Sequence, residues 1–213
     1  PAPAGETVSR RGALAVVGAG SLLLLVTSVG RSFDGTWRRV ALLTPRGGAE
    51  PGSGPNGFQI NKTARKAGIV ASDTGERWRL TLAGRAGELR LSRAQLLALE
   101  QHTAALPIAC VEGWSTADQL WRGVRLRDLA ALAGYEDGPP PAVLVESLQV
   151  SGPFRSVALR DNQVADPRSL LALTVNGAAL SPDHGYPARV IVPAAPGVMN
   201  TKWVARMTFG DPR

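Results

Sequence analysis

A single cysteine, Cys110, in 213 residues means that no intrachain disulfide can staple this chain. Zinc and iron–sulfur sites built from several cysteines are excluded with it, and a C-x-x-C-H haem attachment motif is absent. Two histidines, His102 and His184, leave little for a histidine-rich metal site. Such a chain must hold itself together by burying apolar surface, and 44% apolar residues is ample for that. The length suits one domain with an appendage. The 24 glycines and 16 prolines follow no short period, which excludes collagen-like and low-complexity readings.

The formal charge of +7 is uneven: residues 1–48 hold six arginines against Glu6 and Asp34. The remainder is close to balanced and has no dense Lys/Arg run interleaved with aromatics, so a nucleic-acid partner is not expected. From Gly12 to Gly30 run 19 residues without a charge, bracketed by Arg10-Arg11 and Arg31. As a helix they would reach about 28 Å, the thickness of a bilayer core. The expectation is one hydrophobic membrane-spanning or signal helix over residues 1–43. Ser9-Arg10-Arg11 also suits a twin-arginine export signal, but no convincing cleavage site follows, which favours an anchor. The Arg10-Arg11 end would be cytoplasmic. That places the rest of the chain outside the inner face of a cell membrane. Residues 44–57, rich in Gly and Pro, read as a linker to a globular domain over 58–213.

Within that domain the pattern is α+β and mostly β. Strands are expected at Trp78–Ala83 and Glu88–Leu91, joined by a Gly84–Gly87 turn. Ser92-x-x-Gln95 forms a capping box that opens a helix ending near His102. Leu106–Val111 reads as a strand and Leu126–Ala133 as a helix closed by Gly134. Further strands are expected at Pro141–Val150, Ala188–Val192 and Trp203–Phe209. Leu170–Val175 and Ala178–Leu180, joined by Asn176-Gly177, carry the strongest hairpin signal. There is no regular βαβ alternation, G-x-G-x-x-G motif, P-loop or internal repeat.

The chemistry concentrates at Leu106-Pro-Ile-Ala-Cys110-Val-Glu-Gly113-Trp114-Ser115, where the cysteine leaves a strand and meets a Gly-Trp turn. A thiolate held there could act as nucleophile or metal ligand. Equally, free cysteine is a common buried hydrophobe. A Cys–His hydrolase with His184 or His102 as base is a third reading.

The string CVEGWS, followed by Trp121-x-Gly123-x-x-Leu126, resembles the cysteine-ligand segment of sulfite oxidase-type molybdopterin enzymes. The branch it most resembles contains bacterial periplasmic methionine sulfoxide reductases. The resemblance continues through Asn61-Lys62, Asn176-Gly177, His184-Gly-Tyr-Pro-Ala-Arg189, Pro193-x-x-x-Gly197 and Lys202-Trp203. It implies a sulfite oxidase-type molybdopterin-binding domain whose molybdenum is held by the pterin dithiolene and by Cys110, as metal ligand and catalytic residue. A soft thiolate suits such a metal. The resemblance further implies cofactor contacts from Asn61, Ser147, His184, Arg189, Asn200, Thr201 and Lys202. Arg189 and Lys202 suit a phosphate. His184 stands where relatives often carry Asn, which would make its tautomer pH-sensitive.

Sulfite-oxidising members of the animal and plant type carry basic residues soon after the ligand cysteine. This chain has Glu112-Gly113-Trp114 there, which argues against sulfite or nitrate and leaves open a neutral small-molecule substrate such as a sulfoxide. Loops around Glu112–Ser115 and Phe154–Arg155 would shape its access. The expected activity is two-electron oxygen-atom transfer, with electrons exchanged through a separate haem- or quinone-linked membrane redox partner. The alternative is a non-catalytic, membrane-anchored binding module that retains the fold.

Overall fold

The computed structural model describes residues 17–22, 54–109, 115–152 and 154–210. The chain divides into two units, Pro1–Arg46 and Gly47–Arg213. In the first, a helix is described over residues 17–22 only. Six residues rise about 9 Å, a third of a bilayer core. Among the described residues no helix is long and apolar enough to cross a membrane. This corrects the expectation of a membrane-spanning or signal helix. The cell-membrane localisation and the membrane-bound haem- or quinone-linked redox partner rested on that helix and are withdrawn with it. The rest of the 1–43 segment lies outside the described residues.

The second unit opens with a short helix, α1 (Ala71–Thr74), and an antiparallel pair, β1 (Arg79–Gly84) and β2 (Gly87–Ser92). The expected capping box then starts α2 (Arg93–Ala98): Ser92 Oγ accepts from Gln95 N, and Gln95 Oε1 accepts from Ser92 N at 2.9 Å. Next come β3 (His102–Leu106), β4 (Gln119–Arg125), α3 (Leu126–Leu132), β5 (Val143–Ser147), β6 (Ser156–Leu159) and α4 (Asp161–Ala165). The chain finishes with β7 (Leu170–Val175), β8 (Ala178–Ala179), β9 (Arg189–Ile191) and β10 (Val204–Phe209).

Two sheets result. The first runs β2-β1-β10-β5-β6, with β1 and β10 parallel; the second runs β3-β4-β7-β8, with β9 also on β7. The main core packs β1, β5 and β10 against α2, α3 and one face of the second sheet, through Leu80, Leu129, Val145, Leu171, Leu173 and Met207. A second core, with Phe58, Trp121, Leu170, Ala172 and Ile191, covers the other face. Because β7 is buried on both sides, Leu170–Leu173 is a continuous apolar run rather than an alternating one.

Two expectations shift here. The helix stops at Ala98, and the strand expected at 106–111 lies earlier, at β3. The Trp121-x-Gly123-x-x-Leu126 signature proves to be packing chemistry: Trp121 and Leu126 are fully buried. Gly123 lies at a register irregularity between β4 and β7. A Cβ there would collide with Leu171 O and stand 2.7 Å from Ala172 Cα. Both obstacles are backbone, so neither can step aside cheaply. Gly123→Ala should therefore lower unfolding free energy by about 3 kcal/mol or more, measured by urea denaturation.

Candidate cofactor site

β9 begins at Arg189, whose side chain is 3% exposed. Its Nη1 donates to His184 O at 3.3 Å, and its guanidinium lies 5.4 Å from the centroid of the Trp121 ring. Its Nε has no hydrogen-bond partner, and no carboxylate among the described residues pairs with it. Burial pushes its pKa down to about 9. An enclosed cation without a counter-charge is costly, and an arriving anion would relieve that cost.

The 200–204 segment runs beside Arg189 because Val190 N donates to Thr201 O and Val204 N donates to Ala188 O. Thr201 Oγ1 is buried without a partner, while Asn200 Oδ1 accepts from Val192 N at 2.9 Å. Gly185 (φ 111°) fits between the neighbouring side chains: a Cβ on it would meet Lys202 Cβ at 3.1 Å and Arg189 Cβ at 3.2 Å. The His-Gly pair thus brings two cationic side chains together at a point where only glycine fits.

Lys202 behaves differently from an open point charge. Its Nζ donates to Asn61 Oδ1 (2.9 Å), Asp183 O (2.8 Å) and Lys62 O, as many oxygens as an ammonium has hydrogens. It fastens three segments together. Ser147, at the end of β5, joins them by donating to Lys202 O at 2.8 Å. Lys62 Nζ in turn donates to Gln149 Oε1 at 2.6 Å.

His184 is 1% exposed and stacks on Phe58, with ring centroids 3.8 Å apart. Nε2 lies 3.3 Å from Gln59 O, and Nδ1 lies 3.2 Å from both Ser181 Oγ and Asn56 Oδ1. Desolvation holds the ring's pKa down at about 4, with Arg189 and Lys202 adding to the effect and the Gln59 carbonyl and Asp183 opposing it. The imidazole is therefore neutral between pH 5 and 8, which removes the pH-sensitivity expected in that range. With both nitrogens engaged by chain atoms, it is also a poor base for a Cys–His hydrolase. His102 Nε2 instead faces Asp128 and Glu100 at 3.3 and 3.6 Å.

Cys110 lies outside the described residues, together with 111–114. The residues on either side are described. Ala109 bridges Ser115, Ile108 N donates to Thr116 Oγ1 at 2.9 Å, and Gly197 N donates to Ala109 O at 2.6 Å. The residue preceding the cysteine is thus tied to the loop that continues into Asn200–Lys202. Among the described residues no group of three or more His, Cys, Asp or Glu could hold a metal ion. What converges here is Asn61, Ser147, His184, Arg189, Asn200, Thr201 and Lys202: cations, amides and hydroxyls. This donor set fits an anionic cofactor that brings its metal already ligated.

Residues 67–213 match the family described as oxidoreductase molybdopterin binding domain. The chain belongs to that family. The molybdopterin-binding domain is 31% identical over 134 residues to the uncharacterized oxidoreductase YuiH of Bacillus subtilis (strain 168), covering 62% of this chain and 65% of that one. It is 30% identical over 160 residues to the mitochondrial sulfite oxidase of Drosophila melanogaster, covering 64% of this chain and 28% of that one. Among solved structures it resembles the sulfane dehydrogenase SoxCD from Paracoccus pantotrophus, with a TM-score of 0.56 and 26% identity, covering 63% of this chain and 38% of that one. The chain thus spans less than two thirds of the length of each. These relations support a molybdopterin-type cofactor and a place within the sulfite oxidase relatives. They do not single out a periplasmic reductase branch.

Sequence reasoning missed Asn56, Gln59 and Asp183. Asp183 holds Ala64 N through Oδ1 at 2.8 Å, and Asn56 lies inside the Gly/Pro-rich stretch that reads as linker. The Asn-Gly pair at 56–57 was the available signal.

Two outcomes follow for the site. Gly185→Ala should lose cofactor occupancy as well as stability, measured by pterin fluorescence and thermal unfolding. His184 has a folded pKa below its unfolded one, so the unfolded chain takes the proton first as pH falls. Stability is full above about 6.5 and declines toward about 4. The decline attributable to the ring, on the order of 2 kcal/mol, should vanish in His184→Asn when unfolding free energies at pH 7 and 4.5 are compared.

Proposed function

We propose that this domain is a molybdopterin-dependent oxidoreductase that binds molybdenum–molybdopterin and acts by two-electron oxygen-atom transfer on a small substrate. The observation that carries this reading is Arg189, enclosed without a counter-charge among the described residues, its Nε and the Thr201 hydroxyl both unpartnered by them. A phosphate-bearing pterin would supply the missing anion, Arg offering a two-pronged donor.

When bound, the cofactor supplies a metal that changes oxidation state by two electrons and exchanges an oxygen atom. Arg189 anchors the anionic end. Asn61, Ser147 and Lys202 hold the surrounding segments in register. Asn200 and Thr201 offer polar groups along the pterin's edge, and His184 supports Arg189 through its carbonyl. Cys110 would be the protein ligand to the metal, and the Gly197–Ala109 bond fixes the residue that precedes it. Enclosure beside the Trp121 ring keeps water from competing for the guanidinium.

Two of the relatives are named for sulfite and sulfane, both sulfur compounds, and others, from Hordeum vulgare and Volvox carteri, are nitrate reductases. Glu112, Gly113 and Trp114 follow the cysteine here, where an anionic substrate would call for cations. A neutral sulfur oxide such as a sulfoxide suits that segment better.

Protein made in a host that synthesises the cofactor should carry about one molybdenum and one pterin per chain, by metal analysis and fluorescence of the oxidised pterin. Arg189→Met should lower both together. Cys110→Ser should keep the pterin while losing turnover of a sulfoxide. Metal-free, pterin-free wild-type protein from such a host would overturn the proposal and leave a binding module that retains the fold.

A further inference from the structure

Asn56 lies ahead of the family-matched residues and inside a stretch that reads as linker, yet it is bonded on every side. Its backbone is left-handed (φ 61°), a conformation that asparagine tolerates better than most residues. Oδ1 accepts from Ser181 N at 2.8 Å and Nδ2 donates to Ala179 O at 3.0 Å, so the amide's orientation is fixed from both ends. The same Oδ1 stands 3.2 Å from His184 Nδ1.

The backbone oxygen of Asn56 accepts from Asn176 Nδ2 at 2.9 Å. Asn176, itself left-handed (φ 51°), accepts from Leu120 N at 2.9 Å and donates to Gln119 Oε1 at 2.8 Å. Gln119 and Leu120 open β4, the strand that follows the cysteine segment in sequence. Asn56 therefore links two places: the start of β4 and the turn 181–184.

The turn end of this link matters for Arg189. His184 O is the hydrogen-bond acceptor that the described residues offer its guanidinium. If the turn were free to rock, that carbonyl would move with it, and the enclosed cation would sample several directions. Ordering it would then be charged against ligand binding.

We propose that Asn56 is a positioning residue for the anion site, holding the 181–184 turn so that Arg189 is aimed before the cofactor arrives. This rests on the reading of Arg189 as the cofactor's anchor. A residue that only staples a loop would change stability and leave anion affinity alone. A positioning residue changes affinity at nearly constant stability.

The test uses the full chain, free of cofactor, titrated with inorganic pyrophosphate by calorimetry. Wild type should bind and Arg189→Met should not. Asn56→Gly keeps the left-handed backbone and deletes the three side-chain contacts. It should bind about tenfold more weakly while its thermal midpoint stays within about 5 °C of wild type. Amide exchange at Ser181 N should accelerate in the same variant. Unchanged affinity in Asn56→Gly, beside Arg189-dependent binding in wild type, would overturn the positioning role and leave the cofactor reading standing. Absence of any Arg189-dependent binding in wild type would overturn both. Should Asn56→Gly fail to fold, Asn56→Ser carries the same comparison with the same expected loss.

Discussion

A guanidinium enclosed by protein, with no carboxylate among the described residues to answer it, is the constraint around which this domain is arranged. Left to itself Arg189 would swing toward water or give up its proton, and the lowered pKa records the second pressure. The fold blocks the first. β9 is paired to β7 on one side and joined to residues 201–204 on the other, so the backbone at 189 cannot tilt outward. The Trp121 face, the His184 carbonyl and the absence of space at Gly185 close the remaining exits. Stability from two apolar cores elsewhere offsets what this arrangement costs locally.

That division explains how far the sequence could be read. The capping box at Ser92, the hairpin at Asn176-Gly177 and the helix ending before Gly134 were legible because local chemistry decides them. β4 and β6 were not, since β4 carries a glycine and alternates Leu, Trp and Arg, and β6 is only four residues long. Tertiary pairing creates both. The apolar stretch at 12–30 misled for a different reason. Hydropathy reports what a segment tolerates, and the helix described within it covers six residues.

At the site, residue types were easier to read than roles. Lysine in the Lys202-Trp203 motif suggests direct cofactor contact, and only the structure shows Lys202 Nζ facing three chain oxygens. Histidine suggests a titrating group, and only burial against Phe58 shows why this one stays neutral. The asparagine at 56 was invisible because Pro-Asn-Gly signals a turn whether or not anything leans on it. Motifs identify side-chain chemistry. Which partner each group finds depends on contacts between residues more than a hundred positions apart.

Backbone strain points to the same part of the chain. Trp203 sits at φ 54°, a conformation that bulky residues rarely hold without compensation. Its indole Nε1 donates to Pro182 O at 2.7 Å, its carbonyl accepts from Leu148 N at 2.8 Å, and its ring is fully buried beside Ala64, Ala67 and Ile69. The twist sits between Lys202, which fastens the 61–62 and 183 segments, and β10, which anchors the first sheet. Relaxing it would turn Lys202 away from the oxygens it joins. The strain is therefore spent on direction: it makes the last strand's entry point serve the site, at a position where stability alone would favour glycine.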